Sequence, residues 1–255
     1  MAILDSAADI LKCFSADRPD ITVTEAAALL SLPKSNVSRL LRAMRDAGFL
    51  EPVGATKRYR PGVLMVELGQ VYRRASSLLE RADTVVARVS AEVGHTGYVS
   101  VRVGREIMAL TDHPGTNVLR VASSIGRRLE AFASATGRTL LARLGDDAVR
   151  ALYAKSFVPA SATAPQNVDD LLARLAQVRR TGYAESKDEA SRGVGGIAVA
   201  VGDPTTGEEV SLCITFPSAM ITSSERELIL TGLLQGAREI AAVVGDPLFA
   251  CRKAA

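Results

Sequence analysis

Between Ile21 and Gly62 the chain places two helical stretches, a proline-bearing turn and a short basic hairpin in immediate succession. In ITVTEAAALLSL, residues Ala26, Ala27, Leu29 and Leu30 give a small apolar helix face. Thr22 or Thr24 can cap it. Thr22-x-x-Glu25 also has the spacing of a reciprocal capping box, with a carboxylate against the positive helix end. Ser31-Leu32-Pro33-Lys34 reads as a turn in which Pro33 ends one helix or opens the next. The following KSNVSRLLRAMRDAGF sets Val37, Leu40, Leu41 and Met44 on one face. Ser35, Arg39, Arg42 and Ala43 fall opposite, with Asn36 and Ser38 on the flanks. Gly48 stops that helix. Phe49 to Val53 and Lys57 to Arg60 then flank Gly54-Ala55-Thr56 as a hairpin. Upstream, Ile3, Leu4, Ala7, Ile10, Leu11 and Phe14 repeat at helical spacing. Elements of this kind in this order predict a winged helix-turn-helix.

Charge agrees with that reading. The net charge of +3 resides entirely in residues 1–75, with 11 bases against 8 acids, and the remainder is balanced. Within residues 31–62 there are seven bases and two acids, a local excess that points to a polyanion. Arg can grip a guanine edge as a fork, Asn can do so at adenine, and Ser can bind phosphate or base edges. The candidate DNA contacts are Thr24, Lys34, Ser35, Asn36, Ser38, Arg39 and Arg42 on the helices, with Lys57, Arg58 and Arg60 on the wing. The competing reading is a winged-helix protein-interaction module with a charged surface.

The composition, 47% hydrophobic and 23% charged, is that of a soluble globular chain and excludes disordered and fibrous classes. No apolar run reaches the length of a membrane span. The N-terminus lacks the basic lead and long apolar stretch of a signal peptide. Cys13, Cys213 and Cys251 are too scattered for a disulfide framework or a C-x-x-C zinc site, so a reducing cytoplasm is the expected setting. His95 and His113 are the only histidines, too few for a His-rich metal site. No nucleophile elbow, zincin, Walker or dinucleotide motif is present. The chain is expected to need no metal or cofactor and not to be an enzyme; an enzyme domain fused to a DNA-binding head is the other alternative.

After the hairpin, residues 63–75 have helical spacing and read as a linker helix. A second helix is expected over Ser77–Val93. Strands are expected over 98–103, 106–111 and 119–122, then near 183–187, 194–201 and 208–216. Helices are expected at about 134–144, 146–154, 167–181 and 223–244, with Ser161–Pro165 a loop. The class is α+β, with an antiparallel sheet and flanking helices. Gly193-Val194-Gly195-Gly196 reads either as an anion cradle or as a tight turn into a strand. Arg127 and Arg128 can pair with a carboxylate or be solvated, and Phe132 and Ala133 can line a wall or fill the core. Cys213 and Thr215 alternate onto one face of a strand, so both can point into one cavity.

The run LPKSNVSRLLRAMRDAGFLEPVGATKRYRPG resembles the DNA-binding domain of the IclR family of bacterial transcription regulators. The resemblance rests on Pro33, Arg39-Leu40-Leu41, Gly48 and Tyr59-Arg60-Pro61-Gly62. It continues through Gly126, Ala133, Ala135, Gly137, Leu141 and Ala142. It then runs through Gly182, Tyr183, Ala184, Glu189, Gly193, Val194, Ile197 and Ala198, and into EVSLCITFP. Glu130-Ala131-Phe132 stands where the family has Pro-Leu-His, Arg138 where it has Lys, Ser186 where it often has Asp and Gly196 where it often has Cys. The resemblance implies a head over residues 1–62, a linker helix over 63–75, a GAF-like effector domain over 76–250 and a tail over 251–255. It implies a homodimer or dimer of dimers on a pseudo-palindromic operator. It also implies a repressor controlled by a small organic effector, a carboxylic or aromatic acid. The candidate effector contacts are His95, Tyr98, Arg127, Phe132, Ala133, Thr136, Ser186, Val194, Gly195, Gly196, Cys213 and Thr215. Ser186 and Gly196, both small, imply a roomier pocket than one built for a two- or three-carbon acid.

Overall fold

Thr22 caps the first helix of the turn motif as its spacing predicts. Its hydroxyl accepts the Glu25 amide while the Glu25 carboxylate accepts the Thr22 backbone N–H. The computed structural model describes residues 3–15, 17–122, 125 and 128–250. The chain divides into two compact units, Met1–Ser76 and Ser77–Ala255.

The first unit runs α1 (Ile3–Lys12), β1 (Ile21–Thr22), α2 (Val23–Leu30), α3 (Lys34–Asp46), β2 (Leu50–Pro52), β3 (Arg58–Pro61) and α4 (Val63–Ala75). Ser31 turns left-handed (φ 53°) to end α2, and Pro33 opens α3. Ile10, Ile21, Ala26, Val37, Leu41, Met44 and Leu50 form one core, so α3 buries the face its periodicity predicts, with Leu40 half-buried at the edge. The wing is a three-stranded antiparallel sheet in the order β1-β3-β2. The expected hairpin is present, and β1 joins it as a strand that two residues could not announce by alternation. Gly48 takes φ 80°, and a Cβ on Gly62 would lie 2.4 Å from the Gly48 carbonyl oxygen. Both glycines are therefore dictated by the junction between α3 and the wing.

The second unit runs α5 (Ser77–Val93), β4 (Thr96–Val103), β5 (Glu106–His113), β6 (Arg128–Glu130), a 3-10 turn (Ala131–Ala133), α6 (Ala135–Leu141), α7 (Asp146–Tyr153), α8 (Val168–Thr181), β7 (Ala184–Lys187), β8 (Val194–Asp203), β9 (Glu208–Pro217), α9 (Ser223–Val244) and α10 (Pro247–Ala250). The six strands form an antiparallel sheet in the order β6-β5-β4-β9-β8-β7. Alternation along β8 and β9 sorts two cores. Ile197, Val199, Val201, Leu212 and Ile214 pack with α5 and α9. Ala198, Ala200 and Cys213 face α6, α7 and α8 on the other side. A second capping box, Thr222 with Glu225, opens α9, and Gly245 closes it left-handed.

One expected strand is corrected. Leu119–Ala122 is not a strand; β6 at Arg128–Glu130 pairs with β5 instead. Pro114, Gly115 and Asn117 turn the chain away from the sheet, and the Thr96 hydroxyl holds the Val121 carbonyl by a single bond in place of a ladder. No described helix is long and apolar enough to cross a membrane.

Candidate functional site

Two sets of residues carry chemistry, one in each unit. In the first, α3 turns Lys34, Ser35, Asn36, Arg39 and Arg42 to solvent, with Ser38 half-exposed. Arg39 donates to Asn36 Oδ1 at 2.8 Å and Arg42 to Ser38 Oγ at 2.9 Å, bonds along one helix face that orient the guanidinium groups without neutralising them. Among the described residues, no carboxylate pairs with Lys34, Arg39, Arg42 or Lys57. α3 also begins without an acidic residue or a side-chain cap, so no side chain of its own first turn neutralises the positive helix end. Thr24 is exposed on the first turn of α2.

The wing arginines behave differently. Arg58 donates to Asp20 at 2.5 Å and to Glu25 at 3.0 Å, tying the wing to the α2 capping box. The Thr22 N–H and hydroxyl, with Arg58, hold the Glu25 carboxyl below its usual range. Arg60 pairs with Glu51. Arg58 is thus an internal tie, and of the three wing bases Lys57 alone is exposed without a carboxylate partner among the described residues.

In the second unit, a cavity of about 490 Å³ lies on the face of the sheet that also carries α6. Tyr98, Thr136, Ser186, Val194, Gly195, Gly196, Cys213 and Thr215 line it, eight of the residues singled out from sequence. Burial pushes the Cys213 thiol up to about 11, so it stays protonated at neutral pH and is a wall, not a nucleophile. A Cβ on Gly196 would meet Thr215 and Cys213 at ordinary contact distance, 3.5 and 3.6 Å, whereas one on Gly195 would collide with Phe216 at 2.4 Å. A Cβ is therefore tolerated at Gly196 against the lining residues Thr215 and Cys213, whereas Gly195 makes room for the opposite core.

Three sequence candidates fall elsewhere. His95 is buried outside the lining, its Nδ1 3.3 Å from the Asn117 amide, its Nε2 3.7 Å from Glu225 and its ring against Phe216. Phe132 fills the core against Tyr153 and Phe157, and Ala133 is buried beside it. Ala133 adjoins the lining residue Ser134 in the chain, and His95 and Phe132 lie within three residues of Tyr98 and Ser134, but all three are buried outside the lining. Arg127 lies outside the described residues, as does Gly126. Arg128 pairs with Glu106. The glycine segment is a turn and strand: Gly193 donates to Asp188 Oδ1, and Gly195 and Gly196 lie between β7 and β9 in the ladder.

Sequence reasoning missed Ser100, Ile107, Ala109, Leu129, Ser134 and Ser191, and the segment Leu119–Ala122, all of which line the cavity. The segment that follows β5 is clasped to β4. Thr96 Oγ1 donates to the Val121 carbonyl and accepts the Gly115 amide, while the Asn117 amide N–H donates to the Gly94 carbonyl. Behind the β7–β8 turn, Arg138 is buried against Glu189 in a bidentate pair and also donates to the Phe132 and Glu185 carbonyls. That pair fixes the wall carrying Ala190 and Ser191. Among the described residues no group of three or more His, Cys, Asp or Glu stands close enough to hold a metal.

Comparison with known proteins assigns both units. Residues 4–54 match the IclR helix-turn-helix domain, and residues 70–242 match the bacterial transcriptional regulator IclR C-terminal domain. The HTH-type transcriptional regulator XynR of Escherichia coli (strain K12) is 26% identical over 248 residues, spanning 96% of this chain and 97% of its own. The crystal structure of an IclR transcriptional regulator from Alicyclobacillus acidocaldarius shares the fold with a TM-score of 0.84 at 23% identity, covering 94% of this chain and 97% of that one. An IclR homolog from Microbacterium hydrocarbonoxydans, solved in complex with 4-hydroxybenzoate, gives a TM-score of 0.78 at 22% identity, covering 94% of this chain and all (100%) of that one.

Proposed function

The chain belongs to the IclR family of bacterial transcriptional regulators, and from that premise we propose that it is a repressor that binds a pseudo-palindromic operator as a dimer and answers to a small organic acid. The observation that carries the DNA-binding half is the exposed face of α3, where Arg39 and Arg42 lack carboxylate partners among the described residues while Val37, Leu41 and Met44 anchor the helix. Lys34, Ser35, Asn36, Ser38, Arg39 and Arg42 read or grip DNA there, Thr24 supports them from α2, and Lys57 touches phosphate from the wing. Arg60 can join by leaving Glu51, whereas Arg58 keeps the wing in place. The head spans residues 1–62, the connecting helix 63–75, the effector domain 76–250 and the tail 251–255.

The dimer is supported by α4, which buries none of its residues and carries Leu64, Leu68, Val71 and Ala75 at the four-three-four spacing of a coiled-coil seam. Two copies paired through such a seam present two recognition helices to two half-sites. An effector in the cavity shifts the protein between operator-binding and released arrangements by its differential affinity for them. The solved relative's 4-hydroxybenzoate and the cavity's size support an aromatic or similarly bulky acid. Work on chromosomal DNA sets the protein in the cytoplasm, and its role is regulatory, not enzymatic.

The test is fluorescence anisotropy on DNA from upstream of the protein's own gene, across a salt series and against random DNA. Wild type is expected to prefer the upstream DNA and to weaken with salt. Arg39→Ala is expected to cost about 1–3 kcal/mol of discrimination while leaving thermal stability unchanged. Equal binding to random DNA at every salt concentration counts against operator recognition in that region.

A further inference from the structure

We propose that Arg120 is the counter-ion of the effector's acid group and so sets the ligand class of the cavity. The proposal rests on reading that cavity as the effector site. Arg120 is the only cationic side chain among the described lining residues, and none of those residues is Asp or Glu. Among the described residues Arg120 has no ion-pair partner, in contrast to Arg128, which is neutralised by Glu106, and to Arg138, which is neutralised by Glu189. A lining with one unpaired guanidinium and no carboxylate favours an anion and disfavours a cation.

The backbone on either side of Arg120 is tied down, while Arg120 itself is exposed. Its chain neighbour Val121 is tied to β4 through the Thr96 hydroxyl, and Asn117 is tied to Gly94 and Val93 at the end of α5. Thr215, on the cavity lining, donates to the Thr96 carbonyl at 3.2 Å, so the clasp and the lining share a residue pair. The rest of the lining divides into two kinds. Ile107, Ala109 and Leu129 offer an apolar wall, and Ser100, Thr136 and Thr215 offer hydroxyls. The ligand that matches is a monocarboxylate with an apolar body and one or two hydroxyl groups. Its carboxylate lies at Arg120, its ring or chain on the apolar wall, and its hydroxyls toward Ser100 and Thr215.

The experiment is calorimetric titration of the full-length protein with acetate, gluconate, benzoate, 4-hydroxybenzoate and phenylacetate, each beside its neutral amide. Wild type, Arg120→Gln, Arg128→Gln and Gly196→Leu are compared. The expected result is binding of at least one aromatic acid and not of its amide. Affinity falls about ten- to a hundredfold in Arg120→Gln, as for a lost charge-assisted hydrogen bond, and holds in Arg128→Gln. Gly196→Leu, which fills the space beside Cys213 and Thr215, abolishes binding. An acid that binds Arg120→Gln as tightly as wild type, or an amide that binds as well as its acid, overturns the role of Arg120 and leaves the cavity reading intact. An acid that binds Gly196→Leu unchanged overturns the cavity reading itself. Failure of every acid to bind wild type overturns the proposed ligand class.

Discussion

The two units place their functional groups in opposite ways. In the first, the candidate groups stand outside a finished core: Val37, Leu41 and Met44 hold α3, while Ser35, Arg39 and Arg42 are exposed and the two arginines bond only to neighbours on their own helix. In the second, the candidate site is cut out of the core, and Cys213, Ser100 and Thr136 are at once lining and buried packing. A surface site can therefore change its specificity without changing its stability. A site made from the interior cannot, because the residues that shape it also support the sheet.

Arg138→Ala sharpens that difference most. Arg138 and Glu189 are 3% and 7% exposed, and removing Arg138 leaves the buried Glu189 carboxylate with only the Arg174 guanidinium, at 3.5 Å. The expected loss is about 3–5 kcal/mol in the second unit, read as a lower midpoint in urea. Replacing both, Arg138→Met with Glu189→Leu, is expected to restore most of it. Near-wild-type stability in the single variant would break the contrast, since the cavity wall would then not depend on its buried pair.

Thr22→Ala is the corresponding probe of the first unit and has a smaller expected effect. It removes one half of the capping box, which costs about 1 kcal/mol. The exposed face of α3 carries no bond to Thr22, so operator preference is expected to survive at temperatures where the unit stays folded. Loss of preference without loss of stability in this variant would show that α2 capping and DNA reading are coupled.

The same difference explains what could be read from the residues alone. A surface site on one helix needs only periodicity and a cap, so the two faces of α3 and the Thr22–Glu25 box were legible. Cys213 and Thr215 were legible too, because alternation fixes which strand residues share a face. Ser100, Ile107 and Ala109 were not. Their place in the lining depends on β4 pairing with both β5 and β9, a relation between distant segments. Arg120 lay in a segment whose alternation reads as a strand until Pro114, Gly115 and Asn117 lead it off the sheet. His95 and Phe132 lie outside the lining although they are near cavity residues in sequence, since such nearness does not fix where a side chain packs. The tie of Arg58 was not legible because its acids, Asp20 and Glu25, lie more than thirty residues earlier.

A pH response offers the smallest and most local test. Both histidines of the chain, His95 and His113, belong to the second unit. His95 is 4% exposed, and its Nε2 has no hydrogen-bond partner. Burial lowers its pKa, and the Glu225 carboxylate facing it from α9 opposes that shift without cancelling it. A folded-state pKa below the unfolded value of about 6.5 means that the unfolded chain takes up the proton first. The stability that neutral His95 provides is therefore complete above about pH 6.5 and declines as pH falls through and below that value. Glu225 acts lower. Bonds from Thr222 depress its carboxyl, so its contribution is present above about pH 4.3 and fades only beneath that. Between pH 7.5 and 5.5 the second unit's calorimetric transition is expected to move down in wild type, and less so in His95→Asn, which keeps a polar group near Asn117 but cannot take up a proton. The first unit, with no histidine, is the internal reference. An equal slope in the variant would mean that the response comes from outside His95, and that the buried ring packed against Phe216 serves only to fill space.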